Sequence, residues 1–339
     1  MYRPHSSIIR RRPSQRGSAL IMVIWLISML GMIVYAMLNI VKHDADLAIA
    51  QKQAFRARQV AEMGINWAMN PAVKKYDRDI LDQTLEDGST FSAKIKGEGG
   101  RLNINFLLQG NGVHKEFLKN LFELWGLKEN DRDVPDMLFD RMADWIDADS
   151  NTTGVHGWEK EEYVAMHGEN TPYPFNRPFY TLDEMLLVPG WDLVVANLPD
   201  WRDYFTIYSV GVAVDVNEAE AKVLAAVAQA AMNRTSQDDH AKRIEEAQEF
   251  VVLRWGPDQT EDTEDDVKMD APEALNALDV QSDPQAAIDP ASYFGSNDQT
   301  THIECVATVG DYRKRVVLIV RGRTGTPQIL SREEVPLFQ

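Results

Sequence analysis

The chain has 339 residues, of which 44% are hydrophobic, so it is long enough to bury a sizeable core and more than one domain. Its net charge of −17 at pH 7 disfavours binding to nucleic acid or to anionic membrane surfaces over most of its area. The single cysteine, Cys305, excludes an internal disulfide.

The first segment combines a basic flank with a long apolar run. Residues 1–17 carry five arginines and no acid, and the run from Ser18 to Val41 holds 24 residues without a charge. At about 1.5 Å per residue, a helix of that length crosses a hydrocarbon core of about 30 Å. We therefore expect a transmembrane segment over 18–41, because the apolar stretch of a cleaved secretory signal is shorter. The positive-inside rule predicts a cytoplasmic N-terminus and an exported C-terminal body.

Helical periodicity continues past the apolar run, and no proline occurs until Pro71. A single stem helix over 18–70, half in lipid, is unusual for a plain membrane anchor and typical of a pilin-like subunit. The stretch RGSALIMVIWLISMLGM resembles a type III, or prepilin-like, leader, in which a short basic segment and Gly17 precede an apolar stem. The resemblance implies that prepilin peptidase cleaves after Gly17 and leaves Ser18 as the methylated first residue of the mature chain.

Met22 occupies the fifth position of the predicted mature chain, where most pilins and pseudopilins carry glutamate. A carboxylate in an apolar filament core is costly unless it meets an opposite charge, which in these filaments is the terminal amine of the subunit ahead. A subunit with nothing ahead of it lacks that partner and is more stable with an apolar side chain. The absence of glutamate resembles the K-type minor pseudopilins of type II secretion, which lie at the filament tip. Sequence drift or an ordinary anchor is the alternative interpretation.

Strand-like and helix-like segments alternate after the stem. Residues 71–100 contain the strand-like stretch STFSAKIKGEGG, and 101–203 have mostly helical spacing. Strand-like patterns return over 204–255, where YSVGVAV and KVLAAVAQ predict one hairpin, and over 301–339, where ECVATVG and RVVLIVRG predict another. Residues 256–300 are acidic and contain several prolines, and we expect a flexible loop there.

This order of segments strengthens the resemblance to the K-type family. ARQVAEMGINWAM, GGRLNIN, DWIDADS with GWEKEEY, and PFNRPFYTLDEMLLVPGW match its pattern in order and spacing. The resemblance implies an α+β fold, in which a pilin-like long N-terminal helix packs on an antiparallel sheet with a large helical domain inserted. The doubled hairpin and the long acidic loop depart from the family pattern and leave the final strand order open.

An acidic turn lies in the stretch DWIDADS. Asp144 and Asp147 are three residues apart on a predicted last helical turn and share a face. Clustered carboxylates at the negative end of a helix dipole are unfavourable without a cation, and oxygen ligands at alternate positions suit calcium. The spacing excludes an EF-hand, and a solvated acidic turn is the alternative. Because the K-type family binds calcium in its helical domain, the resemblance implies calcium as the cofactor, with Asp147, Asp149, Asn151 and Glu159 as ligands.

Other motifs favour structural over chemical roles. The stretch TLDEMLLVPGW resembles the helix-hairpin-helix turn of DNA-binding proteins, but Asp183, Glu184 and Asp192 would repel phosphate, so a packing role is favoured. The sequence contains no H-E-x-x-H, G-x-S-x-G or P-loop motif, and Cys305 lies among alternating apolar residues of a predicted strand. We therefore expect no enzymatic activity.

These patterns predict a non-enzymatic tip subunit of the type II secretion pseudopilus, which initiates the filament and supports protein export across the outer membrane. The resemblance implies a single-pass protein of the bacterial inner membrane with a periplasmic body. The implied partners are the I- and J-type minor pseudopilins, other pseudopilins and prepilin peptidase, and no nucleic acid. Two alternatives stay open: a DNA-handling minor pilin of a competence-type pilus, and a membrane-tethered calcium-binding protein.

Overall fold

A long helix opens the fold. The computed structural model describes residues 16–109, 112–127, 133–232, 237–281, 289–296 and 299–337. Residues 1–15 of the predicted leader lie outside these ranges. Helix α1 (Arg16–Met69) has 54 residues, which confirms the predicted long N-terminal helix. Within the described residues it is the one helix long and apolar enough to cross a membrane, and its apolar N-terminal half is exposed.

A short helix and two strands follow the stem. Helix α2 (Arg78–Leu81) leads into β1 (Asp82–Thr84), which turns back into β2 (Thr90–Gly97) as an antiparallel pair. Strand β2 alternates between buried and more exposed residues, which is the period of two that the sequence STFSAKIKG predicts. Gly97 ends the strand, and the chain then leaves the sheet.

A large, mainly helical insertion separates β2 from the rest of the sheet. Its two short strand pairs, β3 with β4 and β5 with β6, are parallel. In chain order the insertion contains β3 (Leu102–Asn103), α3 (Ile104–Leu108), α4 (Gly112–Leu124), α5 (Val134–Ile146), α6 (Lys160–His167), α7 (Trp191–Asn197), β4 (Phe205–Thr206), β5 (Val214–Asp215), α8 (Ala221–Ala231), α9 (Gln237–Arg254), α10 (Ala271–Ala277) and β6 (Phe294–Gly295), with 3-10 turns at Glu98–Gly100, Leu182–Leu187, Trp201–Asp203 and Pro290–Tyr293.

The chain returns to the sheet in three long strands. These are β7 (Thr300–Val309), β8 (Tyr312–Arg321) and β9 (Gln328–Leu337). The sheet order is β1-β2-β7-β8-β9, with every neighbouring pair antiparallel. The β7–β8 hairpin confirms the hairpin predicted from ECVATVG and RVVLIVRG, and β2 and β7 are the strands that flank the insertion.

The C-terminal half of α1 packs on one face of this sheet. Val60, Ala61 and Ile65 of the helix are buried against strand residues such as Ile303 and Val316, which form one hydrophobic core. A second and larger core lies inside the insertion, and its largest fully buried side chains include Trp145, Trp191, Trp201, Tyr163 and Phe122.

The second half of the first predicted hairpin is helical, and its first half, YSVGVAV, is irregular until it reaches β5, so that prediction was wrong. The segment AKVLAAVAQAA forms α8, and FVVLR forms the last turns of α9. Alanine is the best helix former, and residues 223–230 are buried on every side of α8. A helix that is buried on every side has no polar residues at helical spacing. Its sequence therefore resembles that of a buried strand. Among the described residues of the predicted 204–255 sheet region, the strands are Phe205–Thr206 and Val214–Asp215.

The segment predicted as a flexible loop over 256–300 is folded wherever the structure describes it; residues 282–288 and 297–298 lie outside the described residues. Helix α10 begins with a capping box between Asp270 and Glu273. Ala274, Leu278 and Val280 are buried in the core of the insertion. These apolar anchors hold the acidic segment to the insertion, and composition alone does not reveal such anchors.

Charged groups join the insertion to the stem and sheet. Glu218 accepts a hydrogen bond from the backbone N–H of Gly97 at 2.8 Å, and Glu98 lies 3.1 Å from Nδ1 of His302 on β7. Lys75, just beyond the stem, lies 3.1 Å from a carboxylate oxygen of Asp262 and 2.9 Å from one of Asp266. The acidic segment therefore docks against the foot of the stem.

Candidate metal centre

Three carboxylates converge where α5 gives way to α6. Asp144 lies in the last turn of α5, Asp147 is the residue after its end, and Glu159 is the N-cap of α6. One carboxylate oxygen from each lies within 4.8 Å of the other two. Asp144 and Glu159 are buried and Asp147 is half-buried. Three acidic groups are therefore held together away from bulk water.

Each of the three has a buried oxygen without a hydrogen-bond partner. These atoms are Asp144 Oδ2, Asp147 Oδ1 and Glu159 Oε1. The other oxygen of Asp144 accepts the backbone N–H of Thr153 at 2.8 Å. Buried polar atoms are nearly always paired, because an unpaired one costs the full desolvation penalty. Three such atoms at one point form a donor set that could hold a cation.

The electrostatics of the cluster support the same conclusion. Burial, reinforced by the neighbouring carboxylates, raises the pKa of Asp147 to about 6 and that of Glu159 to about 7. Burial also raises the pKa of Asp144. Loss of hydration and mutual repulsion both disfavour the ionised forms, and a bound cation would reverse both effects.

The loop between the two helices folds back over α5 through glycines. A Cβ atom at Gly157 would collide with the carboxylate of Asp144, so the close approach requires glycine. Gly154 has a φ of +62° and lies directly against Asp140, whose Oδ2 also accepts the backbone N–H of His156 at 3.3 Å. The loop therefore returns Glu159 to the end of the helix that carries Asp144.

The predicted ligands are only partly brought together. Asp147 and Glu159 belong to the cluster, whereas Asp149 and Asn151 are exposed in the loop and bond to each other. Asp149 Oδ1 accepts the backbone N–H of Asn151 at 2.7 Å and its side-chain amide at 2.9 Å. Asp144 completes the cluster and is absent from the predicted set. The i,i+3 spacing from Asp147 was the sequence signal that could have identified it.

Aromatic packing fixes the two helices that carry the cluster. Tyr163 of α6 lies edge-on to Trp145 of α5, with ring centroids 5.8 Å apart, and to Trp158 at 5.7 Å. The Arg141 guanidinium lies 4.5 Å from the centre of the Trp158 ring. The cluster is therefore supported on both sides by packed rings.

The donor set fits calcium. All three ligands are carboxylate oxygens, which hard cations prefer, and Ca²⁺ accepts six to eight oxygens in flexible geometry. Two helix ends and one loop supply the groups, so a bound ion would tie the end of α5 to the start of α6. Backbone carbonyls and water would have to complete the coordination.

The predicted processing and filament positions lie at the start of α1. Gly17 and Ser18 are in its first turn, and Met22 is exposed one turn later. Cleavage between Gly17 and Ser18 stays a prediction. The hairpin sequence TLDEMLLVPGW forms a 3-10 turn (Leu182–Leu187) and α7, joined through Gly190 at a φ of +95°. Met185 and Trp191 of this hairpin are buried in the core of the insertion, which is the packing role expected.

Part of this chain is similar in sequence to known proteins. Residues 100–198 match the profile of the family described as "Type II secretion system (T2SS), protein K". Type II secretion system protein K of Pseudomonas aeruginosa is 30% identical over 154 residues, which cover 44% of this chain and 44% of that protein. The matched region thus spans less than half of that protein's length.

A solved structure shares the fold over most of the chain. It is the crystal structure of the GspK-GspI-GspJ complex from the type 2 secretion system of enterotoxigenic Escherichia coli, with a TM-score of 0.60 and 13% identity. The match covers 85% of this chain and 99% of the solved chain. These findings confirm the predicted resemblance to the K-type minor pseudopilins and the predicted pilin-like α+β fold.

Proposed function

We propose that this chain, which carries the protein K segment of type II secretion over residues 100–198, is the non-enzymatic tip subunit of a type II secretion pseudopilus. It would initiate the filament and so support protein export across the outer membrane. The observation that carries the proposal is the insertion between β2 and β7, a helical unit with its own core on a pilin-like frame. Such a unit is too bulky to repeat along a shaft of stacked stems.

The stem also supports a position at the tip of the filament. Met22 is exposed on α1 and carries no charge that could neutralise the amine of a subunit ahead. A buried amine left without its counter-charge is destabilising, so a subunit without that acid is best placed where no subunit lies ahead. The tip is the one such place in a filament.

Processing and location follow from the proposal. The chain would be cleaved by prepilin peptidase between Gly17 and Ser18, methylated, and held in the bacterial inner membrane by one pass of α1. The five arginines of residues 1–17 would keep the N-terminus in the cytoplasm and the folded body in the periplasm.

The proposed partners are the I- and J-type minor pseudopilins, together with other pseudopilins of the shaft. The structural relative was solved in a complex with GspI and GspJ. The full chain, purified in a neutral detergent with its I- and J-type counterparts, should form a complex with one copy of each subunit. Multi-angle light scattering measures the composition. Failure to bind either partner, or growth of long homopolymers from this chain alone, would contradict the proposal.

We further propose that calcium binds at the carboxylate cluster as a structural ion. Asp144, Asp147 and Glu159 would be its core ligands, because their unpartnered oxygens converge in the structure. Asp149 and Asn151, predicted as ligands from the sequence, would reach the ion only if the exposed loop closed over it. The ion's role would be to pin α6 against α5.

A further inference from the structure

An apolar groove opens on the surface of the insertion, between α6 and the hairpin formed by Leu182–Leu187 and α7. Its volume is about 530 Å³. Met166, Leu186 and Leu187 line it with side chains that are between 39% and 57% exposed. Soluble proteins seldom gather large exposed apolar side chains around a concave surface unless something binds there.

The walls of the groove are fixed before any partner arrives. Arg141 spans them: its Nε donates to the carbonyl of His156 at 3.3 Å and its Nη1 to the carbonyl of Pro189 at 2.8 Å. The same guanidinium stacks over Trp158, which lines the groove. A preformed site loses little conformational freedom on binding, so a modest apolar contact can give useful affinity.

The charge around the groove selects the partner. Two donors of Arg141 are already used by backbone carbonyls. Asp192, at the hairpin end of the groove, interacts electrostatically with Arg141 but makes no hydrogen bond or ion pair within the described residues. Residues 101–296 contain 15 Lys and Arg against 38 Asp and Glu, a net charge of −23. An anionic ligand such as nucleic acid would be repelled, whereas a cationic group would be attracted to Asp192.

We propose that this groove binds a segment of a partner protein that presents a large apolar side chain beside a lysine or arginine. The apolar side chain would lie against Leu186, Leu187 and Met166, and the basic group would pair with Asp192. The turn that resembles a DNA-binding hairpin thus becomes a peptide-binding surface, because an acidic residue stands where phosphate would have to approach. This inference does not depend on the tip position or on the calcium site.

Fluorescence anisotropy with three labelled octapeptides tests the groove. The first peptide alternates leucine and lysine, the second leucine and glutamate, and the third serine and lysine. The full chain in a neutral maltoside detergent should bind only the first, after subtraction of the signal from empty micelles. Equal binding of the serine–lysine peptide would show that net charge alone causes the binding, and it would overturn the proposal. Absence of binding by the leucine–lysine peptide would also overturn it.

Variants locate the binding. Leu187→Ser combined with Met166→Ser should weaken binding of the leucine–lysine peptide at least tenfold, and Asp192→Asn should weaken it several-fold and reduce its salt dependence. Leu253→Ser is the control, because Leu253 is an apolar residue on α9 that is 60% exposed and lies outside the groove, and it should leave binding unchanged. If Leu253→Ser lowers affinity as much as the groove variants, the groove is not the site. Normal complex formation by all variants with the I- and J-type subunits would separate this proposal from the tip function.

Discussion

Gly64 of the stem lies directly against Cys305 of β7, so closely that a Cβ atom at position 64 would collide with the cysteine sulfur and approach a ring carbon of Phe91 to 2.8 Å. The missing side chain lets α1 sink onto the sheet. The contact also buries Cys305 completely, and burial raises the pKa of its thiol to about 12. The sulfur is therefore a packing group with no access to substrate or oxidant, as expected from its place in the strand.

Gly64→Ala should destabilise the protein. Overpacking of a tight core contact costs about 1–3 kcal/mol, which exceeds the gain of about 0.5–1 kcal/mol from replacing a helical glycine. Chemical denaturation of the full chain measures the change in the free energy of unfolding. Gly31→Ala is the matched control, because a Cβ at position 31 meets nothing within 4 Å. Equal stabilities of the two variants would show that the stem does not pack as described.

Arg323→Ala should loosen the foot of the stem. This residue, in the turn between β8 and β9, donates to the carbonyls of Ala68 and Asn70 at 2.7 Å and of Val73 at 2.6 Å. Loss of these bonds removes the Arg323 donor from the carbonyls of Ala68 and Val73, whereas Asn70 keeps the backbone N–H of Val73, and we expect a cost of about 1–3 kcal/mol. Amide hydrogen exchange should accelerate in the last turn of α1. Arg313→Ala, at an exposed arginine on β8, should change neither exchange nor stability, and matching effects from both would argue against the capping role.

The leader prediction is that Ser18 is the first residue of the mature protein. Cells with active prepilin peptidase should yield a chain whose N-terminal peptide, read by mass spectrometry, begins at Ser18 and carries one methyl group. Gly17→Arg should leave the chain uncleaved, because it places a long cationic side chain at the residue after which the leader resemblance implies cleavage. A conservative control, Gly17→Ala, should be cleaved more slowly. Recovery of an intact Met1–Gly17 segment from wild-type cells would rule out this processing.

Calcium should raise the melting temperature of the protein by several degrees at millimolar concentration. Binding to the native state alone stabilises by about 2.7 kcal/mol at a free ligand concentration one hundred times the Kd. Asp147→Asn should abolish the rise, because it removes a core ligand, and should leave the melt in chelator unchanged or slightly higher. Asp149→Ala tests the exposed loop and should reduce the rise less. Magnesium should have little effect, since it holds its water and demands a tight octahedron. Identical melting temperatures with calcium and with chelator would show that the cluster is a solvated acidic turn that binds no calcium.

The same carboxylates should make the metal-free protein sensitive to pH. The pKa of Asp147 is raised to about 6 and that of Glu159 to about 7, so between about pH 4 and pH 7 the native state binds more protons than the unfolded chain. Stability in chelator should therefore fall as the pH rises through this window. Asp147→Asn with Glu159→Gln should flatten that fall, as should saturating calcium in the wild type. An equally steep fall in the double variant would assign the pH dependence to other groups.

The sequence was informative for the stem and the long strands. The stem is a long run without proline, β2 and much of β7 alternate between buried and more exposed residues, β8 contains a continuous apolar run, and each of these elements was predicted correctly. Helix α8 was not predicted because its alanine-rich run is buried on all sides, so no pattern of polar residues at helical spacing marks it as a helix. Among strongly apolar segments, periodicity alone cannot separate a buried strand from a buried helix.

The carboxylate cluster shows the corresponding limit for a site. Asp144 and Asp147 share a helical face, which sequence spacing can reveal. Glu159 reaches them because Gly157 lets the loop close over Asp144. An irregular loop has no repeating residue spacing from which this contact could be predicted. Alternate spacing therefore favoured Asp149 and Asn151, whereas the structure turns those two side chains toward each other. Long-range pairs such as Lys75 with Asp266 were equally invisible in the sequence.

The position of this chain in assembled pseudopili tests the central claim most directly. Val155 is 92% exposed on the insertion, and buried Cys305 is the only natural cysteine, so Val155→Cys offers one reactive thiol for a maleimide-gold label. Electron microscopy of pseudopili assembled with the labelled chain should show one gold particle at one end of each filament. Particles repeated along the shaft would contradict the assignment of this chain as the tip subunit.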